Sequence, residues 1–311
     1  MEIPFDSVLL LAYGGPEKSA DVRPFLDNIL RGLPVPRERY EAVVHHYELI
    51  GGKSPLNELT DRQAGGLREL LKKEGPEIPV YVGNRFAKPF IYTAIRNMVV
   101  DRRRRGVAIV LAPYRSGPSF EKYQEAVQEV IDAAGPEIDL RVEFIEPWFD
   151  HPLFAEAQAD QVRSALGKIP SDRRSAAALL FTAHSIPIAL ADRSPYVSQI
   201  ETACRNVAGH LNGRSWSLVW QSRSGDPRTP WLEPDVNESL RALKSQNARD
   251  VVLCPIGFIA DHVEVMYDLD IEAAQTAREI DLNMVRASSV NDHPVFIAAL
   301  ADLVRRKCQS A

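Results

Sequence analysis

Short apolar runs alternate along the chain with longer segments whose apolar residues recur every third or fourth position. Runs at 7–13, 80–83, 107–112 and 140–145 read as strands, as do 176–183, 217–221 and 251–255. Their apolar residues are continuous, the pattern of strands covered on both faces. Between them, helical periodicity predicts 22–31, closed by Gly32, and 61–73, opened by a Thr60-x-x-Gln63 capping box. Further helices are expected near 90–103, 120–133, 152–166, 197–211, 236–246, 261–278 and 294–307. This alternation predicts an α/β chain of two doubly wound, Rossmann-like domains, each a mostly parallel sheet of about four strands flanked by helices. The break falls near 148–152. Residues 1–148, joined by the C-terminal helix at 293–311, form the expected first domain, and 149–292 the second. A ligand cleft is expected between them.

Composition narrows the functions. Hydrophobic residues are 45% and charged residues 25%, ordinary for a globular chain with a full core. A net charge of −5 gives no reason to expect a nucleic-acid partner. The arginine run at 102–105, followed by Gly106, reads as the positive end of a capped helix. Cys204, Cys254 and Cys308 are far apart and form no CxxC pair, so no cysteine-built zinc or iron–sulfur site is expected. Free thiols suit a reducing cytoplasm. The apolar N-terminal run lacks a basic n-region and a cleavage site, so it reads as a first strand. No run approaches the roughly 18 apolar residues of a membrane span.

Open α/β sheets bind ligands beyond the carboxyl ends of their strands. Four stretches fall there: Tyr13-Gly14-Gly15-Pro16, Tyr114-Arg115-Ser116, His184-Ser185 and 257–274, GFIADHVEVMYDLDIEAA. AYGGP lacks both nucleotide fingerprints, so Gly14-Gly15 reads as a tight turn and Tyr13 as a packed aromatic or a ligand contact. His184 has an ordinary pKa near ~6.5, suited to proton transfer or metal ligation, and a structural histidine is the plainer alternative. No GxSxG elbow supports a triad with Ser185. In 257–274, the carboxylates Asp261, Glu264, Asp268 and Glu272 are spaced by three, four and four. On a helix they share a face and repel, which suits either a solvated surface or a path for a cation. Asp261 is the expected helix cap, with Glu264 as its reciprocal partner. Asp268 and Glu272 lie beyond the first turn, where the helix dipole no longer helps them. Arg31 suits a helix end, Ser54 an ordinary loop and Tyr123 a core position. The loop WQSRSGDPRTPWLEPDV is longer than a hairpin needs, as functional loops often are.

Taken together, AYGGP, Arg31-Gly32, IGGKSPLNELT, YVGNRFAKPFI, LAP followed by Tyr123, FTAHSIP, WQSRSGDPRTPWLEPDV and GFIADHVEVMYDLDIEA resemble the ferrochelatase family. The resemblance covers essentially the whole chain, and the last three motifs in this order are the most specific. It implies insertion of Fe(II) into a porphyrin with release of two protons, in haem biosynthesis. The chain is most similar to the soluble bacterial type that uses coproporphyrin III, for which Tyr13 is the chief pointer; protoporphyrin IX is the other candidate. The resemblance implies that His184 and Glu264 form the catalytic, metal-side pair. Tyr13 would approach the opposite porphyrin face. Arg31, Tyr47, Ser54 and Tyr123 would contact the porphyrin, with Arg31, Ser54 and Tyr123 on its propionates. Asp268 and Glu272 would form a metal route or a second site for a regulatory divalent cation. Porphyrin and ferrous iron are then substrates, with no tightly bound cofactor or iron–sulfur cluster, in a cytoplasmic monomer. Two positions depart from many relatives: Leu30 stands where a basic residue is common, and His46 where arginine is. A non-catalytic porphyrin or haem carrier, or a chelatase for another tetrapyrrole or metal, is the alternative. Retention of both His184 and Glu264 speaks against a carrier.

Overall fold

In the computed structural model, residues 4–117, 119–225 and 228–310 are described. Asp226 and Pro227, in the middle of the long WQS loop, lie outside them. The chain forms two compact units: Met1–Pro113 with Pro118–Trp148 and Asp292–Ala311, and Tyr114–Gly117 with Phe149–Asn291.

The first unit is built on β1 (Ser7–Ala12), β2 (Val80–Asn84), β3 (Arg105–Val110) and β4 (Arg141–Phe144), in the order β2-β1-β3-β4. The second contains β5 (Ala178–His184), β6 (Ser217–Gln221), β7 (Asp250–Cys254) and β8 (Asn283–Arg286), in the order β6-β5-β7-β8. Every pairing is parallel. The α/β reading from the strand pattern therefore holds, and the two sheets share one strand order. The central strands carry unbroken apolar runs, such as 8–12 in β1 and 251–254 in β7, because both faces are covered. All six residues of β1 are buried, and Leu9, Leu10 and Leu11 are fully so. Each such leucine contributes roughly 1.5–3 kcal/mol. In both sheets the order reverses at the first strand, the switch point where ligands collect. Tyr13 follows β1, and His184 ends β5.

Several local expectations are corrected. Thr60 does not cap a helix. The helix runs Leu56–Glu74, and the Thr60 hydroxyl donates back to Leu56 O at 2.8 Å from inside it. The arginine run is a helix end only in its first half: Arg102, at φ 55°, and Arg103 close the helix Ile91–Val100, their amides donating to Val99 O and Met98 O at 2.9 Å, without a glycine cap. Asp6 accepts from the amides of Arg104 and Arg105, and this turns the chain so that Arg105 and Gly106 open β3. Strand β8 and the helix Arg37–Leu49 carry too mixed a pattern to be read in advance. Tyr114–Gly117 belongs with the second unit, because the Tyr114 hydroxyl donates to Ile256 O at 2.8 Å and the Arg115 amide to Gln199 at 2.8 Å. The segment 261–278 is not one α-helix. It divides into Val263–Tyr267, a π-helical turn Asp268–Ala273, and Ala274–Glu279.

Candidate active site

His184 ends β5, and β7 pairs alongside β5. The chain leaving β7 crosses closely over the end of β5. The Gly257 amide donates to Thr182 O at 3.0 Å, and a Cβ on Gly257 would sit 2.7 Å from that of Ala183. This crossing delivers Glu264 to His184, with Nε2 and Oε1 3.5 Å apart. The imidazole is oriented from behind. Its Nδ1–H donates to Ser185 O, and the Tyr196 hydroxyl donates to His184 O at 3.1 Å. Nε2 is thereby the nitrogen that faces the carboxylate. Burial alone would lower the His184 pKa, but the Glu264 carboxylate overrides it and the imidazolium is favoured. Burial alone would raise that of Glu264, and the imidazolium overrides it in turn. The pair thus holds a proton between the end of β5 and the arm that carries Glu264. Solvent still reaches it, with side-chain exposures of 29% and 40%.

The carboxylate file is rearranged. Asp261 is not the cap of this helix. His262 caps it, its Nδ1 accepting the Glu264 amide at 3.1 Å, in keeping with a pKa that burial lowers. Asp261 instead accepts from Arg286 Nη1 at 3.0 Å, Asn291 Nδ2 at 3.1 Å and the Ser289 amide at 3.2 Å. The π turn then breaks the α spacing. Asp261 thus leaves the file, while Asp268 is buried and Glu272 exposed. Asp268 accepts from the Ser222 hydroxyl and from Gln221 Nε2 at 3.3 Å, and the same amide group donates to Glu264 O at 3.0 Å. Ser222 sits at φ 60°, a left-handed conformation rare outside glycine, immediately after β6. Burial raises Asp268 to about 7 against the opposing Ser222 hydrogen bond, with Glu264 and Glu272 adding to the rise. Gln221, Ser222, His262, Tyr196 and Arg286 were not singled out from sequence. The first two could have been, because they end a strand and open the WQS loop.

The first unit presents a second group. Tyr13, 41% exposed, packs its ring on Phe86 at 4.7 Å and edge-on to Phe25 at 6.3 Å. Tyr47 is buried against the same Phe25 at 6.3 Å. The loop beneath Tyr13 is stitched down by Asn57, which accepts the Gly15 amide at 2.9 Å and donates to Gly15 O at 3.0 Å. Ser54, buried, backs this turn: a Cβ on Gly15 would lie 2.7 Å from that of Ser54. Tyr13, Ser54 and Tyr47 are therefore joined through shared neighbours. Arg31 is exposed and donates to Asn28 at 3.2 Å, and Asn28 in turn donates to Phe86 O. Tyr123 is a core residue, 5% exposed, with the Arg85 guanidinium 5.3 Å from its ring centre and its pKa raised by burial. His46 has a pKa lowered by burial, then by His45 and Arg39. Its neutral form is thereby favoured.

A sequence model described as Ferrochelatase matches residues 6–308. The chain belongs to the ferrochelatase family. It is 41% identical to the coproporphyrin III ferrochelatase of Mycolicibacterium smegmatis, over 96% of this chain and 89% of that protein. It is 40% identical to the coproporphyrin III ferrochelatase of Streptomyces griseus, over 97% and 85%, and 39% identical to the ferrochelatase of Rhodopirellula baltica, over 98% and 86%. Among solved structures, the fold is like that of SirB from Bacillus subtilis with Fe3+, with a TM-score of 0.57 at 11% identity over 97% of this chain and 95% of that one. Family membership makes the chain an enzyme of haem synthesis, with a porphyrin and iron as substrates. Among the described residues, no helix is long and apolar enough to cross a membrane. Among the same residues, no group of three or more His, Cys, Asp or Glu side chains is placed to hold a metal ion.

Proposed function

We propose that this chain inserts ferrous iron into coproporphyrin III and that His184 and Glu264 take the metal and the protons. The observation that carries the reading is the His184–Glu264 pair, 3.5 Å apart, with Nδ1–H tied to Ser185 O. That tie directs the Nε2 lone pair at the incoming metal. Iron binding expels the shared proton, because both ligands must be deprotonated to bind it. One imidazole and one carboxylate form a weak site, and a weak site releases its metal. The porphyrin then loses two N–H protons as its four nitrogens take Fe(II). With their metal gone, Glu264 and the neutral imidazole are the acceptors for those protons. Arg31, Ser54 and Tyr13 handle the macrocycle. Charge-assisted hydrogen bonds to its propionates supply binding energy that helps bend the ring and expose the nitrogens.

The substrate assignment rests on the names of the relatives at 41% and 40% identity. Its test is kcat/KM for coproporphyrin III against protoporphyrin IX under anaerobic conditions. A preference of about tenfold or more for coproporphyrin III is expected; equal values or the reverse order overturn the assignment. Asp268 and Glu272 are read as a metal route or a site for a regulatory divalent cation. Asp268→Asn with Glu272→Gln is expected to raise the apparent KM for iron, and an unchanged KM reduces the pair to ordinary polar surface. We read the enzyme as a cytoplasmic monomer with no resident cofactor, iron–sulfur cluster or nucleic-acid partner. The three scattered cysteines support the absence of a cluster, and the net charge of −5 the absence of a nucleic-acid partner.

A further inference from the structure

Arg286, the last residue of β8, makes the densest set of ionic hydrogen bonds near the metal-side arm. Its Nε and Nη2 donate to the two oxygens of Asp270 at 2.6 and 2.8 Å, a two-pronged contact. Its Nη1 donates to Asp261 at 3.0 Å and to Ala287 O at 3.2 Å. The guanidinium side chain is only 17% exposed. Asp261 precedes Glu264 in the chain, and Asp270 lies inside the π turn that begins at Asp268. One cation on a sheet strand therefore grips the arm at both ends of the segment that carries Glu264 and Asp268.

A π turn is rare and is the less regular way to wind this segment. Sliding back to α spacing would rotate Asp270 away from Arg286 and would move Asp268 relative to Gln221 and Ser222. The bridge to Asp270 is lost in such a slide, so it favours the π register. We infer that Arg286 is a positioning residue for iron insertion: by bridging Asp261 and Asp270, it fixes the arm in the register that brings Glu264 to His184. Neither Arg286 nor Asp270 touches the His184–Glu264 pair in any described hydrogen bond or ion pair, so the effect acts through the backbone of the arm.

The inference rests on the proposed role of Glu264 as an iron ligand, and the experiment separates the two. Cobalt(II) is titrated into the purified protein without porphyrin, and its absorption gives a Kd for the parent, Arg286→Lys, Asp270→Asn, the double variant and Glu264→Gln. Arg286→Lys keeps the charge and loses the fork. Both single variants are expected to weaken cobalt(II) by about tenfold, as supporting groups behind metal ligands do. The double variant is expected to be no weaker than the weaker single, because both changes cut one bridge. Steady-state assays should show the apparent KM for ferrous iron rising in step, with the KM for porphyrin within about twofold of the parent. A purely structural role would lower kcat through loss of folded enzyme and leave the cobalt(II) Kd unchanged, which overturns the inference. Should Arg286→Lys fail to fold, Asp270→Asn decides alone, since that side chain is 39% exposed and easily replaced. If Glu264→Gln binds cobalt(II) as tightly as the parent, the role of Glu264 itself falls.

Discussion

At the end of β5, one imidazole has its chemistry set by two neighbours: Ser185 O fixes the tautomer, and Glu264 fixes the charge. Asp268, four residues further along the arm, is under the opposite pressure. Burial raises it from 3.8 to about 7, so the folded protein holds a proton there that the unfolded chain has released. An acid raised in this way costs stability as pH climbs from about 4 through about 7, because the folded state binds more protons across that window. Asp268→Asn removes the cost. Its Tm relative to the parent should rise by roughly 2–6 °C between pH 5 and pH 8. Thermal melts at the two pH values check this, and a parallel offset at both would show that Asp268 is not protonated in the fold.

At the scale of elements, both groups of candidate site residues depend on loops that follow strands. The Tyr13 loop is held by Asn57, whose side chain meets both the amide and the carbonyl of Gly15 in a buried setting. Asn57→Ala leaves these groups without partners, at about 1–3 kcal/mol. Chemical denaturation should show that loss, and the porphyrin KM should rise with it because Tyr13 loses its footing. Wild-type stability in this variant would contradict the account of the loop. What was legible here follows from range. The central strands were readable because burial on both faces gives β1 and β7 unbroken apolar runs at 8–12 and 251–254. The positions of His184 and Glu264 followed from strand ends together with family resemblance. The helix over 261–278 was misread because spacings of three and four fit α winding, whereas the π turn and its Arg286 bridge depend on a partner 16 residues away. The second half of the arginine run was misread for the same reason, since Asp6 lies 98 residues from Arg104. Tyr123 illustrates the converse. Its plain reading as a core residue describes its surroundings well, with Phe120, Val127 and Leu140 in the same cluster.

At the scale of the whole molecule, two sheets with one strand order present different chemistry from equivalent places: a half-exposed tyrosine after β1, and a histidine paired to a carboxylate at the end of β5. The second is the proposed seat of iron insertion. Its most direct test mixes the purified chain with coproporphyrin III and ferrous iron without oxygen and follows the fluorescence of the free porphyrin. The parent should quench it as iron enters the ring. His184→Ala should bind the porphyrin with similar affinity and leave the fluorescence in place. Undiminished fluorescence with the parent, or quenching by His184→Ala at the parent's rate, would contradict the central claim.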